Sequence, residues 1–342
     1  MNILRIIRPY VTVLLLTAAP LLAAQENNSA YNFLNVTSSA KIYGLGGVNI
    51  SLVDDDISTV DQNPALLGGE MSGMLSLNYM HYVGGSNFAG VRYGHAAGEH
   101  GAWAADMRYF GYGSMKETTP DGSIVGSFSP KDLTFGAMYS HDITGYLRGG
   151  IALRGVYSSY ADYTAFAVST DAGINYYDPD RDLSLSLVLA NMGGQLKRFN
   201  ESYDRLPFDV RIGWSQSFAN FPLRFSITAW NLTKWHLPYV ESGDGTSSDE
   251  PVVKDKFSSN LFRHLIFGVD LISSPNYYIS LGYNYKSRTD MSTYSRSFIS
   301  GFSLGGGIKV RNFGVSVALA QPHTGATTFM LNLSMNFNDI LH

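Results

Sequence analysis

Alternation of apolar and polar residues with a period of two recurs along most of this 342-residue chain. Successive side chains of a β-strand point to opposite faces of a sheet, so this period predicts strands with one apolar and one polar face. In segment 208–215, for example, Phe208, Val210, Ile212 and Trp214 alternate with Asp209, Arg211, Gly213 and Ser215. The same pattern is clear at 101–110, 133–140, 277–285 and 329–337.

Fourteen such strands are predicted, and short connections between them alternate with longer ones. Outer-membrane barrels show this parity, because their periplasmic turns are tight and their surface loops are long. The sequence therefore predicts an all-β fold, a transmembrane antiparallel β-barrel over 73–342; the alternative is a soluble β-sandwich, which shares the alternation but not the parity. The predicted strands are 73–83, 86–97, 101–111, 131–142, 146–158, 162–177, 182–191, 207–218, 222–232, 262–272, 276–287, 298–310, 312–321 and 327–337, and the long loops lie at 112–130, 192–206, 233–261 and 288–297.

Composition agrees with a barrel that has an apolar exterior. Charged residues make up 15% of the chain, against a usual share of about 25%. No apolar run of 18 residues follows residue 24, so the sequence offers no transmembrane helix. The chain has no cysteine, which excludes disulfides, thiol catalysis, cysteine-based zinc sites and a lipid anchor on an N-terminal cysteine.

The first 24 residues have the pattern of a signal peptide. Arg5 and Arg8 precede the apolar run 10–16, and Ala24 supplies a small residue at the expected cleavage site. An uncleaved membrane anchor is the alternative, although the apolar run is short for a membrane span.

Residues 25–72 do not alternate and are too polar and glycine-rich for a strand that faces lipid. We expect this segment to fill the barrel as a plug or hatch, because irregular backbone at membrane depth must be shielded. A calcium site is suggested by four acidic residues, Asp54, Asp55, Asp56 and Asp61. Their spacing does not match an EF-hand, so an acidic turn or helix cap is the simpler interpretation. Asn63 before Pro64 predicts a turn or helix start.

Charged residues within the strands fall on the polar face. Placed against lipid at mid-depth, each Arg or Lys would cost about 2–4 kcal/mol, so we expect these residues to face the lumen. An internal lattice of salt bridges that holds the hatch, or an ion-selective pore, would account for them. The main lumen charges are Arg92, Asp106, Arg108, Arg154, Asp209, Arg211 and Arg224, with Arg148, Asp171 and Asp270 on the same faces.

The sequence predicts no catalytic, cofactor-binding or metal-binding residues, since the motifs of serine hydrolases, zinc proteases and nucleotide-binding loops are missing. His264 is interpreted as a rim or lumen residue. A barrel hydrolase would need such a histidine next to a Ser or Asp. Loop 233–261, with the acidic segment 241–250, and loop 112–130 are the candidate docking surfaces.

Several motifs resemble one known family. This chain resembles the N-terminal region of the PorV/PorQ outer-membrane family of Bacteroidetes at three places: residues 40–47, Asp54–Asp56 and Asn63-Pro64-Ala65. The resemblance covers nearly the whole mature chain. The later motifs are similar to the PorQ branch of the family; they lie at 206–210, 263–270, 281–285 and 300–303.

This resemblance implies a FadL-like barrel in the attachment complex of the type IX secretion system. The implied role is a non-enzymatic outer-membrane anchor that holds a PorZ-like surface protein, beside a PorU-like sortase and a PorV-like shuttle, for attachment of cargo to lipopolysaccharide. Surface loops would be extracellular and both chain ends periplasmic. The alternative function is a FadL-like transporter of hydrophobic small molecules, which a lateral opening or an apolar internal pocket would favour.

Overall fold

The computed structural model describes residues 30–201, 203–218, 221–241, 252–274, 276–290, 299–323 and 326–338. The predicted signal peptide and most of the acidic segment 241–250 lie outside the described residues. Among the described residues, no helix is both long enough and apolar enough to cross a membrane.

Fourteen antiparallel strands form one closed barrel, and four further strands form two small hairpins outside it. The first and last barrel strands pair from Met74 with Asn336 to His81 with Phe329, which closes the wall. The barrel strands are β1 (Met74–His81), β2 (Asn87–Ala97), β3 (Gly101–Gly111), β6 (Lys131–Asp142), β7 (Leu147–Tyr160), β8 (Tyr163–Asp178), β9 (Leu183–Lys197), β10 (Asp209–Phe218), β11 (Phe221–Ala229), β14 (Leu265–Ser274), β15 (Tyr277–Asn284), β16 (Phe302–Val310), β17 (Phe313–His323) and β18 (Ala326–Asn336).

The alternation in the sequence becomes the two faces of this wall. In β7, Ile151 and Leu153 are exposed on the outside, whereas Ala152 and Arg154 are buried inside. Because the period is two, each strand presents an apolar face outward and small or polar residues inward. The predicted fold class, an antiparallel barrel of fourteen strands, is confirmed.

The barrel has a long-loop end and a short-turn end. Its longer loops contain two hairpins and two helices that the alternation does not predict: β4 (Met115–Thr118) with β5 (Ile124–Phe128), β12 (Tyr239–Glu241) with β13 (Val252–Lys254), α2 (Phe257–His264) and α3 (Tyr285–Asp290). These helices shorten two predicted strands, so the strand predicted at 262–272 begins at Leu265 and that at 276–287 ends at Asn284. Conversely, β9 continues past the predicted residue 191 to Lys197 through a bulge in its pairing with β8.

Residues 30–73 lie inside the barrel and form the hatch. Tyr31 lies at the long-loop end, where its hydroxyl accepts a hydrogen bond from Gln195, and Gly73 leads into β1 at the short-turn end. The segment contains α1 (Ala40–Gly44) and short 3-10 turns rather than strands.

The path of the hatch separates the two described chain ends. Residue 30 lies at the long-loop end, while β18 ends at Asn336 beside Met74 at the short-turn end. The ends of the predicted mature chain, residues 25–29 and 339–342, lie outside the described residues, so the expected periplasmic position of both ends stays a prediction.

Candidate functional site: a plugged lumen and a chamber at the long-loop end

One buried carboxylate of the hatch, Asp61, faces arginines from three strands of the wall. Its Oδ1 accepts hydrogen bonds from Arg92 Nη2 at 2.7 Å and lies 3.3 Å from Arg108 Nη2. The Asp61 backbone oxygen accepts from Arg154 Nη2 at 3.2 Å. The guanidinium groups are in turn paired with Asp106 and Asp171 on the wall. Breaking such a buried network by removing one partner costs several kcal/mol, so the network fixes the hatch in place.

A second set of ion pairs holds the hatch near the short-turn end. Asp54 pairs with Lys41 and lies 3.7 Å from Arg224 Nη2, and Asp55 pairs with Lys309 of β16. Asp56 caps a 3-10 turn, because its carboxylate accepts from the Ser58 amide at 2.9 Å. Each of the three acids therefore has a protein partner, and the described residues contain no cluster of three metal-ligating side chains.

The Asn63-Pro64-Ala65 motif forms the contact of the hatch with β7, β8 and β9. Asn63 accepts a hydrogen bond from the Ala65 amide at 2.9 Å and donates to Ile50 O at 2.7 Å. Asn63 also lies 3.2 Å from Ser186 Oγ of β9. Pro64 begins a 3-10 turn in which its missing N–H would have had no partner. The motif is therefore structural in this protein, as a fixed turn pressed against the wall.

Glycines on the inner face of the wall allow this close approach. A Cβ on Gly150 would lie 2.4 Å from the carbonyl carbon of Pro64, and one on Gly173 would lie 2.2 Å from Asn63 Oδ1. On the other side of the barrel, a Cβ on Gly282 would lie 2.1 Å from Gly46 N. The sequence analysis missed this role, although glycines on the polar face of predicted strands were a usable signal.

The remaining predicted lumen charges are also inside the barrel and paired. Arg211 Nε donates to Asp209 at 2.9 Å, and Arg211 Nη2 donates to Asn35 of the hatch at 2.7 Å. Arg224 Nη2 lies 3.1 Å from Asp270. Arg148 is less buried than the other lumen charges. It lies half-buried near the short-turn end, where it binds Asp142. The arrangement is a lattice of ion pairs between wall and hatch.

A chamber of about 500 Å³ lies between the hatch and the loops at the long-loop end. The hatch supplies its floor, including Asn35, Tyr43 and Val48, and segment 230–237 with the ends of β16 and β17 supplies its walls. A second cavity of about 270 Å³ lies at the short-turn end beside Asp54 and Lys309. Helix α1 lies between the two cavities and packs on β16 so closely that a Cβ on Gly44 would lie 2.7 Å from Gly305 Cα.

His264 holds the wall of the chamber. Its Nδ1 lies 2.8 Å from Trp230 O and its Nε2 lies 3.0 Å from Trp235 O, and the ring stacks on Trp235. Both partners are backbone carbonyl oxygens, so the ring links the two ends of segment 230–235. His264 is the buried last residue of α2 and directly precedes β14, so it lies at the rim of the barrel, although segment 257–264 folds as a helix rather than as the start of the strand.

Apolar side chains are exposed on the long-loop platform, which comprises β4, β5, β12, β13 and α2. Ile124 is 60% exposed at the β4–β5 hairpin, and Phe257 of α2 is 68% exposed. Nearby, hydrogen bonds from Asn260 and His236 hold the pKa of the Asp255 carboxyl below its usual range. Exposed apolar groups on an ordered surface are typical of a site of protein interaction.

A closed fourteen-stranded barrel with an internal hatch belongs to the class of plugged β-barrels. Two solved structures of the hydrocarbon channel TodX are similar to this fold. A deltaS2S3 mutant of the TodX monoaromatic hydrocarbon channel is 11% identical with a TM-score of 0.55, over 88% of this chain and 99% of that chain. The Pseudomonas putida toluene transporter TodX is 10% identical with a TM-score of 0.52, over 87% of this chain and 97% of that chain.

A Pseudomonas aeruginosa FadL homologue is 11% identical with a TM-score of 0.49, over 88% of this chain and 98% of that chain. No protein-family model matches the sequence, and the curated proteins give no match. The chain therefore shares the closed-barrel fold of the two TodX structures. At these identities the likeness concerns the fold alone.

Proposed function

We propose that this protein is a non-conducting outer-membrane anchor whose long-loop platform holds a protein at the cell surface. The observation that carries the proposal is the hatch that occupies the lumen. The hatch is fixed to the wall by ion pairs at Asp61 and Asp54 and by close packing at Gly150 and Gly305. Barrels of this kind place long loops outside the cell, so the platform would face outward.

The partner that we propose is a PorZ-like surface protein of the type IX secretion attachment complex, with a PorU-like sortase and a PorV-like shuttle in the same assembly. The resemblance of the sequence motifs supports this identity. The ordered hairpin and helix on the platform support the docking mode, since partners bind at exposed apolar groups on rigid elements more readily than at mobile loops.

Recovery of partners from detergent-solubilised outer membranes tests the anchor. Affinity-tagged protein should copurify with secretion components identified by mass spectrometry, and the paired substitutions Ile124→Glu and Val125→Glu should abolish this recovery. The matched control is Ile143→Glu, which alters a 58% exposed isoleucine at the short-turn end and should leave recovery unchanged. Wild-type protein that recovers no secretion component would contradict the proposal.

Transport of hydrophobic small molecules is the second candidate function. The chamber at the long-loop end favours it, because its walls include Tyr43, Trp230 and Phe302, and because TodX structures share the fold. Uptake of toluene into vesicles that contain the purified barrel, at a rate above protein-free vesicles, would support transport over anchoring.

A further inference from the structure

We propose that a groove on the outer face of the barrel, at the long-loop end, binds one acyl chain of an anionic membrane lipid, and that Arg288 binds the phosphate of that lipid. Ser303 and Ala320 line both this groove and the chamber, so the barrel wall separates the two. The inference goes beyond the proposed anchoring, because a lipid site on the bilayer side needs no partner on the platform.

The groove has a volume of about 320 Å³ and crosses β15, β16 and β17. Its floor is a row of three leucines, because Leu281 pairs with Leu304 and Leu304 pairs with Leu319 across the sheet. All three side chains are exposed on the outer face. Ile299, in the turn before β16, and Phe302, the first residue of β16, bound the groove on the side of the long loops.

Beyond the leucines, the outer surface stays low along β16 because the next outward position has no side chain. Gly306 pairs with Ile279 and Val317, whose side chains are exposed, so it lies on the same outer face. A Cβ on Gly306 would have Tyr278 O as its nearest contact, at 3.5 Å, so the space outside it is open. The low surface therefore runs from the strand end toward the middle of the barrel wall, which is the direction of an acyl chain in a bilayer.

The position of the groove on the outer face identifies the chemistry of its occupant. The outward apolar band of a membrane barrel contacts hydrocarbon, and an unfilled apolar concavity forfeits dispersion contacts. A chain that fills the groove gains packing rather than hydrophobic transfer, because lipid tails are as apolar as leucine. Packing alone favours any lipid, so selection among lipids has to come from the head group.

Arg288 of α3 supplies a charge for the head group. Lys286 and Arg263 both pair with Asp290, whereas Arg288 has no ion-pair or hydrogen-bond partner among the described residues. A Cβ on Gly301 would lie 2.8 Å from Arg288 Cβ, so Arg288 lies beside the residue that precedes β16 and the groove. A guanidinium group binds phosphate through paired, charge-assisted hydrogen bonds. An arginine at this end of an apolar groove therefore suits an anionic lipid.

Native mass spectrometry of the full mature protein in detergent tests the site. The probe is dimyristoyl phosphatidylglycerol, and its counterpart is dimyristoyl phosphatidylcholine, which has the same chains but no net charge. We expect a one-to-one complex with phosphatidylglycerol whose apparent Kd is at least about tenfold lower than that of phosphatidylcholine. Equimolar inorganic phosphate should not displace the lipid, because it makes no contact with the groove.

Two variants separate the head-group contact from the chain contact. Arg288→Gln should raise the Kd for phosphatidylglycerol about tenfold, to near that for phosphatidylcholine, because it removes the charge that selects the head group. Ile299→Ala should raise the Kd for both lipids roughly threefold or more, because it shortens a side chain that bounds the groove. The matched controls are Arg311→Gln and Ile308→Ala, two exposed positions toward the short-turn end of the β16–β17 hairpin, and both should leave the Kd unchanged.

Equal binding of the two lipids would overturn the proposal, as would displacement of phosphatidylglycerol by inorganic phosphate. So would Kd values that Arg288→Gln and Ile299→Ala leave unchanged while each variant keeps the wild-type unfolding transition. A lipid-free dimer that Ile299→Ala dissociates would also overturn it, by showing that a second copy of the chain covers the groove. These outcomes leave the anchoring proposal untouched, since that depends on recovery of partners by the platform.

Discussion

At the scale of single residues, a few polar side chains decide how the hatch is held. Asp61 lies among Arg92, Arg108 and Arg154, and its burial makes any loss of charge expensive. Asp55, by contrast, pairs with Lys309 at a partly exposed position, where an ion pair is worth at most about 1 kcal/mol. The two acids belong to the same hatch and differ chiefly in burial.

This difference predicts the effect of removing each charge. We expect Asp61→Asn to lower the free energy of unfolding by about 3–5 kcal/mol, because it leaves buried guanidinium groups without their shared carboxylate. Asp55→Asn should lower it by less than about 1 kcal/mol. Urea unfolding in lipid vesicles, followed by tryptophan fluorescence, measures both. Equal effects of the two variants would contradict the assigned role of Asp61.

His264 offers a second residue-scale prediction. His264→Phe retains an aromatic ring against Trp235 but removes the ring nitrogens that lie 2.8 Å from Trp230 O and 3.0 Å from Trp235 O. We expect faster hydrogen exchange at the amides of segment 230–237, because the contacts of His264 that hold this segment in place are lost. The control is His236→Phe, since the His236 side chain is exposed and lies 3.3 Å from Asp255. Unchanged hydrogen exchange in the His264→Phe variant would show that His264 does not hold segment 230–237 in place.

At the scale of elements, close contact between hatch and wall depends on strand positions without a side chain. Strand β7 contains glycines in both environments. Gly150 lies on the inner face against Pro64, and a Cβ on Gly155 would meet Phe166 only at 3.5 Å, an ordinary contact. The strand therefore supplies a matched pair that separates close packing from strand propensity.

We expect Gly150→Ala to lower the free energy of unfolding by about 1–3 kcal/mol and to expose the hatch to added protease, because its Cβ would overlap the Pro64 backbone. Gly155→Ala should change it by no more than about 0.5 kcal/mol. Urea titration and limited proteolysis measure the two effects. A Gly150→Ala protein that resists protease as well as the wild type would show that the hatch seats without this contact.

At the scale of the whole molecule, the apolar exterior and the ion-paired, hatch-filled interior suit insertion into a bilayer. Leu153 lies in the middle of β7 and is 56% exposed on the outer face. Ile124 has similar exposure but lies on the hairpin beyond the barrel. Membrane insertion predicts opposite consequences for the same change at these two positions.

Leu153→Arg should destabilise the folded barrel by about 2–4 kcal/mol in lipid vesicles, because the charge would lie near the middle of the hydrocarbon. Ile124→Arg should have an effect within about 0.5 kcal/mol, since its side chain would remain in water. Equilibrium folding into vesicles at varied guanidinium concentration checks both. Equal tolerance of arginine at the two positions would show that Leu153 does not face lipid.

The number of strands, and the face of the barrel to which each side chain points, were predictable because the period of two can be read from neighbouring residues alone. A period of two assigned Ile151 and Leu153 to one face and Arg154 to the other, and closure into fourteen strands followed from the requirement that no strand edge remain unpaired in lipid. The helices α2 and α3 were missed, since their short apolar patterns continue those of the adjacent strands.

Only the tertiary structure decided how the hatch expected from residues 25–72 is held in the lumen. The pairing of Asp61 with arginines 31 to 93 residues away, the contact of Gly150 with Pro64, and the chamber beside Trp230 all join distant parts of the chain. No local pattern encodes such distances, because they depend on the path of the hatch through the closed barrel. The sequence by itself determined a barrel with an apolar exterior and a polar interior and a segment suited to fill it; three-dimensional packing determined which contacts hold that segment and that a chamber remains at the long-loop end.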